Sequence, residues 1–183
     1  QENNSKKIPE IISQNGTVTG IKVDTGAKVL ANSSEEKITE GLDGLRERLK
    51  DYYNLGARFT KWRGVYSISE KHPSKLAISS NAHALARYAA LVQEAGMVPI
   101  IEPEVLMDGS HSAEICYTKT SEVIKKCYEE LISFKIDLEG TILKPNMILP
   151  GTNSDQKISS TEIAELTLKC LKESVPNEVS GIA

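Results

Sequence analysis

The chain has 183 residues, 39% hydrophobic and 26% charged, and its 22 basic and 25 acidic side chains leave a formal net charge of −3. That length suits one domain with a real core or part of a larger one, and the slightly acidic balance argues against a nucleic-acid backbone as the main partner. No apolar run approaches the roughly 18 residues of a membrane span and no leader pattern opens the sequence, so a soluble, cytoplasmic protein with no membrane partner is expected.

In chain order, residues 1–16 are mostly polar, end in Asn15-Gly16, and read as a connection. A first β-type run, TVTGIKVD, covers 17–24. Leu42, Leu45, Leu49 and Tyr52 then form an apolar stripe at helical spacing, with Thr39 as a possible cap and Gly56 as a stop. A second β run, ARFTKWR, covers 57–63, and a helix is expected from Leu76 to Ala95, closed by Gly96. A third β run, MVPIIEPE, covers 97–104. A long helix follows from about Ser112 to Phe134, with Ile115, Val123, Cys127 and Leu131 expected inside.

The fourth β run, GTILKPNM, covers 140–147 and is followed by a loop at 148–158 rich in Pro, Gly, Asn and Ser. Ser159 as N-cap with Glu162 three residues on forms a capping box for a last helix reaching about Ser174. A fifth β run begins at VSGIA, 179–183. Strands alternating with helices predict right-handed βαβ crossovers and a parallel sheet, an α/β fold.

Cys116, Cys127 and Cys170 are odd in number and form no CxxC pair, so reduced core thiols are expected. His72, His83 and His111 are scattered, with no HxxxH or HxH pair, and no metal site is predicted.

The first three β runs each carry two charged residues two positions apart: Lys22 and Asp24, Lys61 and Arg63, Glu102 and Glu104. The fourth carries Lys144 alone. Residues at i and i+2 of a strand share a face, so each pair points one way. Lys22, Lys61, Glu102 and Lys144 are spaced 39, 41 and 42 residues apart. That near-constant step fits the repeat of a (β/α)8 TIM barrel of which about half is present, and would bring the charges to one mouth at the strand C-termini. An open doubly wound sheet also binds ligands at strand C-termini and stays an alternative. Solvated strand ends in salt bridges are the plainer reading for any one of these strands.

The mixture of charges suggests a chemistry. A lysine attacks a carbonyl carbon only as a neutral amine, and a second cation with apolar walls favours that form. Lys144, preceded by Ile142 and Leu143, is the candidate amine, facing Lys61. Glu102 is placed to move protons while a carbinolamine becomes an imine. Arg63 and Lys22 remain as grips for a phosphorylated substrate.

GIKVD at 20–24, EGLDGLRERL at 40–49, FTKWR at 59–63, NAHALARYA at 81–89, PIIEPEVL at 99–106, EGTILKPNM at 139–147 and VSGIA at 179–183 are long motifs that together resemble class I fructose-1,6-bisphosphate aldolases. The similarity runs over almost the whole chain from about Gly20. It implies a Schiff-base aldolase on a (β/α)8 barrel, commonly a homotetramer. Such an enzyme reversibly cleaves fructose 1,6-bisphosphate to dihydroxyacetone phosphate and glyceraldehyde 3-phosphate in glycolysis and gluconeogenesis. Its partners are small-molecule sugar phosphates, and it needs no metal or organic cofactor, because the protonated imine is the electron sink. By the same resemblance Lys144 matches the imine-forming lysine and Glu102 the general acid/base. Glu104 matches a neighbouring active-site glutamate and Lys61 a lysine that tunes the site. Arg63 and Lys22 match residues at the substrate's phosphate end, and Asp24 a supporting aspartate.

Thr25 stands where the family pattern continues with a basic residue, which lowers the charge at that edge. The resemblance also places a catalytic aspartate ahead of Gln1 and a phosphate-gripping serine-glycine-glycine loop beyond Ala183. It further implies an arginine on the eighth strand and a C-terminal tyrosine, both beyond this sequence. The expectation is the middle of a barrel, strands three to six plus the start of seven, within a longer chain. Alone, such a piece exposes open sheet edges and is expected to self-associate. The alternative function is a catalytically incomplete barrel that only binds phosphate or a partner, since family members bind actin and other proteins. A transaldolase shares the lysine-imine chemistry but not the KWR, EPE and LKPNM motifs together.

Overall fold

The computed structural model describes residues 2, 3 and 6–183. Strands β1 (Glu2–Asn3) and β2 (Lys6–Lys7) pair antiparallel and lead into helix α1 (Ile8–Gln14). Pro9, in the first turn of α1, supplies a φ already suited to a helix, which is why a stretch read as a connection holds regular structure. None of the α1 residues is buried. Gln1, where that stretch begins, lies outside the described residues.

Strand β3 (Thr19–Lys22) is followed by a hairpin, β4 (Gly26–Leu30) and β5 (Ser33–Glu40), and then by α2 (Leu45–Asn54) and β6 (Ala57–Tyr66). Helix α3 (Lys75–Glu94), β7 (Val98–Val105), α4 (Ala113–Ser133), β8 (Ile142–Leu143), α5 (Ser160–Ser174) and β9 (Gly181–Ile182) complete the chain. The serine hydroxyls of Ser74, Ser112 and Ser159 cap α3, α4 and α5, the last through the full capping box with Glu162.

Strands β3, β6, β7, β8 and β9 make one parallel sheet in that order. Each pairs with the next in sequence, so the sheet winds in a single direction. A doubly wound sheet would reverse at a switch point, and this one does not. Val23, Trp62, Ile101 and Leu143 pack into one core with Leu45 and Leu49 of α2, Leu85 and Val92 of α3, and Ile124 and Leu131 of α4. Burying a side chain of this size stabilises by about 1.5–3 kcal/mol. The alternate strand positions, Lys61, Arg63, Glu102 and Glu104, therefore turn to the opposite face.

Four expectations are corrected. The hairpin β4–β5 occupies a stretch to which no element was assigned. Its turn is made by Asn32 in the left-handed region (φ 64°), a conformation asparagine tolerates. Thr39 is a buried residue of β5 rather than a helix cap, and α2 begins after Gly44, whose own φ is 64°. Ile115 is exposed, and its neighbour Cys116 takes the inward position, because the buried face of α4 follows Ala113, Cys116, Thr120, Val123, Cys127 and Leu131. Strand β8 is only two residues long. Pro103 of β7 and Pro145 have no N–H to continue the ladders on its two sides, so Lys144 stands just past the strand, its N–H bonded to the carbonyl of Ile101 at 2.8 Å. The three cysteines are free and buried, as expected.

The hairpin is held against α3 and the end of β6. Asn81 accepts from the N–H of Thr39 at 3.2 Å and donates to the carbonyl of Lys37 at 2.8 Å, while the Thr39 hydroxyl donates to the carbonyl of Arg63 at 2.6 Å. Glu36 is buried beside Ser33 and the cap of α3, where it accepts from the Ser33 hydroxyl at 2.8 Å, the Ser74 N–H at 2.7 Å and the Ser74 hydroxyl. Burial pushes its carboxyl up, but the bonds from Ser74 and Ser33 outweigh that and hold it below the ordinary value. A depressed folded value means this stability is present above the unfolded glutamate range, about 4.3, and is lost as pH falls through the folded value. Glu36→Gln is expected to cost about 1–2 kcal/mol at neutral pH, with the difference from the natural chain shrinking in acid. Thermal melts across that pH range check it.

Candidate active site

The register of three strands builds the site. Arg63 of β6 pairs with Glu102 of β7, Val65 with Glu104, and Ile101 of β7 with Leu143 of β8. Lys61, Glu102 and Lys144 thereby reach one end of the sheet from three neighbouring strands. The Glu102 side chain is 4% exposed, and each of its oxygens meets a different ammonium. Lys144 Nζ donates to Oε1 at 2.6 Å, and Lys61 Nζ lies 2.6 Å from Oε2. The Lys61 contact is a close ion pair that lacks hydrogen-bond alignment, since Oε2 has no hydrogen-bond partner by geometry. Lys61 is 25% exposed and Lys144 47%, so the carboxylate is buried and the two cations open toward solvent.

The two other basic residues are also paired. Arg63 Nη1 donates to Glu104 Oε2 at 2.9 Å on the same face. Lys22 donates to the carboxylate of Asp24 and, at 3.2 Å, to its carbonyl. Asp24 is 3% exposed and accepts further from the N–H of Gly26 at 3.1 Å and of Arg63 at 3.4 Å. It thus ties the first strand's end to the hairpin and to the backbone of β6. All seven residues singled out in the sequence fall at this end of the sheet, in three carboxylate-centred groups around Asp24, Glu102 and Glu104.

Loops frame the mouth on the β7–β8 side. Gly151, Thr152 and Asn153 donate backbone N–H groups to the carbonyls of His111, Met107 and Gly109, each at 2.8 Å. A Cβ on Gly151 would lie 2.2 Å from the Gly109 oxygen, so only glycine permits this crossing. Glu104, Met107, Cys116, Pro145, Asn146 and Met147 line part of a small cavity beside Lys144, about 210 Å³ in volume. The sequence reading passed over Asn146, whose side chain bonds to β7 and α4. A Pro-Asn pair directly after the key lysine was the available signal. No group of three or more His, Cys, Asp and Glu side chains able to hold a metal ion occurs among the described residues, and none of their helices is long and apolar enough to cross a membrane.

The model of the fructose-bisphosphate aldolase class-I family matches residues 1–183. The chain belongs to the class-I fructose-bisphosphate aldolase family. It is 49% identical over 175 residues to a probable fructose-bisphosphate aldolase class 1 of Xylella fastidiosa, an alignment covering 96% of this chain and 52% of that protein. It is 47% identical over 177 residues to the cytosolic fructose-bisphosphate aldolase 4 of Arabidopsis thaliana, covering 97% and 45%. The Plasmodium falciparum aldolase, solved in complex with TRAP and a small-molecule inhibitor, superposes with a TM-score of 0.98 at 39% identity, covering all of this chain and 54% of that one. The chain thus spans about half the length of the aldolases it matches, and its singly wound parallel sheet is that portion of a TIM barrel.

Removing the shared carboxylate tests the geometry of this three-residue group. Glu102→Ala leaves two ammonium groups facing each other without a counter-ion. Because both reach solvent, the expected cost is about 1–2 kcal/mol, below that of a fully buried pair. Salt screens the repulsion, so melting curves are expected to show the loss narrowing as ionic strength rises.

Proposed function

We propose that residues 1–183 supply the imine-forming half of a Schiff-base aldolase acting on fructose 1,6-bisphosphate. The observation that carries this reading is the Lys144–Glu102–Lys61 group, just past β8 and within β7 and β6 on one face of the sheet, in a family named for that activity. Lys144 is proposed as the nucleophile. As a neutral amine it adds to the substrate's ketone carbon, and the carbonyl oxygen takes a proton to give a carbinolamine. Glu102, 2.6 Å from Nζ, protonates the departing hydroxyl, water leaves, and a protonated imine remains.

A general base supplied by the rest of the enzyme takes the proton of the C4 hydroxyl. The C3–C4 bond then breaks, its electron pair passes through C3 into the imine to give an enamine, and the C4 oxygen becomes the carbonyl of the departing glyceraldehyde 3-phosphate. Protonation of the enamine and addition of water release dihydroxyacetone phosphate and restore Lys144. The imine itself is the electron sink, so these steps use protein groups alone. Lys61 balances Glu102 through its second oxygen, which lets the carboxyl lose and regain a proton without stranding a buried charge.

Arg63 and Lys22 are proposed to take the substrate's phosphate end. Both are already held by carboxylates, Glu104 and Asp24, so a phosphate must replace or share those partners. Asp24 then acts by placing Lys22, and Glu104 by placing Arg63. Homotetrameric assembly and a cytoplasmic location are proposed from family membership and from the cytosolic Arabidopsis relatives.

Reductive trapping tests the reading. Incubation with dihydroxyacetone phosphate and borohydride is expected to add the mass of the reduced adduct to the peptide holding Lys144. Lys144→Met is expected to abolish the adduct, and Glu102→Gln to slow its formation about 10²–10⁴-fold. Phosphate binding by a folded chain that never forms the adduct would mark a binding module and refute the imine chemistry.

A further inference from the structure

Strand β8 pairs with β7 only at Ile142 and Leu143, and the last backbone bond between them is Lys144 N–H to Ile101 O. Strand β7 runs on for four more residues, through Glu102 and Glu104 to Val105. Pro103 of β7 offers no N–H to the Lys144 carbonyl, the next rung of this ladder, and Pro145 removes the following donor on the β9 side. The main chain therefore stops joining these two strands at the level of the reacting pair. Lys144 follows the stop, with a side chain that has four freely rotating bonds.

A side chain takes over where the backbone leaves off. Asn146 Oδ1 accepts the N–H of Val105 at 3.0 Å, the bond that a carbonyl of a longer β8 would have made. Its Nδ2 donates to Thr120 Oγ1 at 3.0 Å and to the carbonyl of Met147 at 3.0 Å. Thr120 is 1% exposed on α4, so the amide is fastened to the rigid helical layer as well as to β7. Both donor hydrogens and the acceptor are used. Aspartate could keep the Val105 bond but would set a carboxylate oxygen against the Met147 carbonyl.

We propose that Asn146 is a positioning residue for the lysine chemistry. It locks the end of β8 to β7 and α4, so that Lys144 Nζ stays on Glu102 Oε1. This rests on the reading of Lys144 as the imine-forming amine. Asn146 stands two residues past Lys144, and its partner Val105 stands three past Glu102, so the bond closes a short bridge around the pair. Loosening a reacting group by about 1 Å can cost on the order of 10²-fold in rate.

The test is the rate of Lys144 labelling by dihydroxyacetone phosphate and borohydride, followed against pH and set beside the melting temperature. Asn146→Ala is expected to slow labelling about 10–100-fold and to displace the pH midpoint of the rate, with Asn146→Asp intermediate. Thr120→Val, which leaves one Asn146 amide hydrogen only the weak acceptor Cys116 Sγ at 3.9 Å, is expected to slow labelling, and Thr120→Ser to restore it. A folded Asn146→Ala chain that labels at the natural rate with the natural pH midpoint overturns the proposal. Should Asn146→Ala not fold, the Thr120 pair decides: equal rates for Val and Ser overturn it, and unequal rates at equal melting temperature uphold it. If the natural chain takes no label, the imine reading itself has failed and this inference falls with it.

Discussion

Glu102 is almost fully buried, and a carboxylate there is costly unless its charge is matched from close by. Two ammonium groups match it, one on each oxygen, and they come from the strands on either side. This arrangement needs three strand ends in one register. That in turn needs Trp62, Ile101 and Leu143 stacked on the other face beneath the helices. Packing and chemistry are therefore the two faces of the same three strands. A slip of one residue in any of them would carry a charge into the core and an apolar side chain into the mouth.

The other charged residues depend on the same frame at one remove. Asp24 reaches the β6 backbone at Arg63 and the hairpin at Gly26, while the hairpin is pinned from behind by Thr39, Asn81 and Glu36. The end of β6 is thus supported by a side-chain network on the hairpin side and by β7 on the other. Arg63 and Lys22, the two proposed phosphate ligands, lean outward from this braced edge. Their carboxylate partners hold them in place, and exposure to solvent keeps each pairing weak enough to exchange.

Much of this was legible from residues alone. The charged strand ends recur at a near-constant step, and that step with i, i+2 alternation was enough to place Lys22, Asp24, Lys61, Arg63, Glu102, Glu104 and Lys144 at one end of a sheet. The capping box at Ser159 and the stops at Gly56 and Gly96 marked helix boundaries because local backbone chemistry decides them. The hairpin escaped notice because its strands are polar and its anchors, Glu36 and Thr39, owe their places in the interior largely to partners 24, 38 and 42 residues away. Asn146 was hidden for a similar reason. A Pro-Asn pair announces a turn, but nothing local says that the amide will reach Val105 and Thr120. Pattern shows which face a residue takes, whereas a buried polar contact depends on what the rest of the chain brings to it.

The central claim is that one carboxylate joins two lysines from different strands. A double-mutant cycle on Lys61 and Lys144, read by chemical denaturation, measures that link directly. The account predicts that Lys61→Met and Lys144→Met are non-additive by more than about 0.5 kcal/mol, and that the coupling disappears when Glu102 is replaced by Gln. Additivity of the two substitutions within that limit, with Glu102 in place, would contradict it.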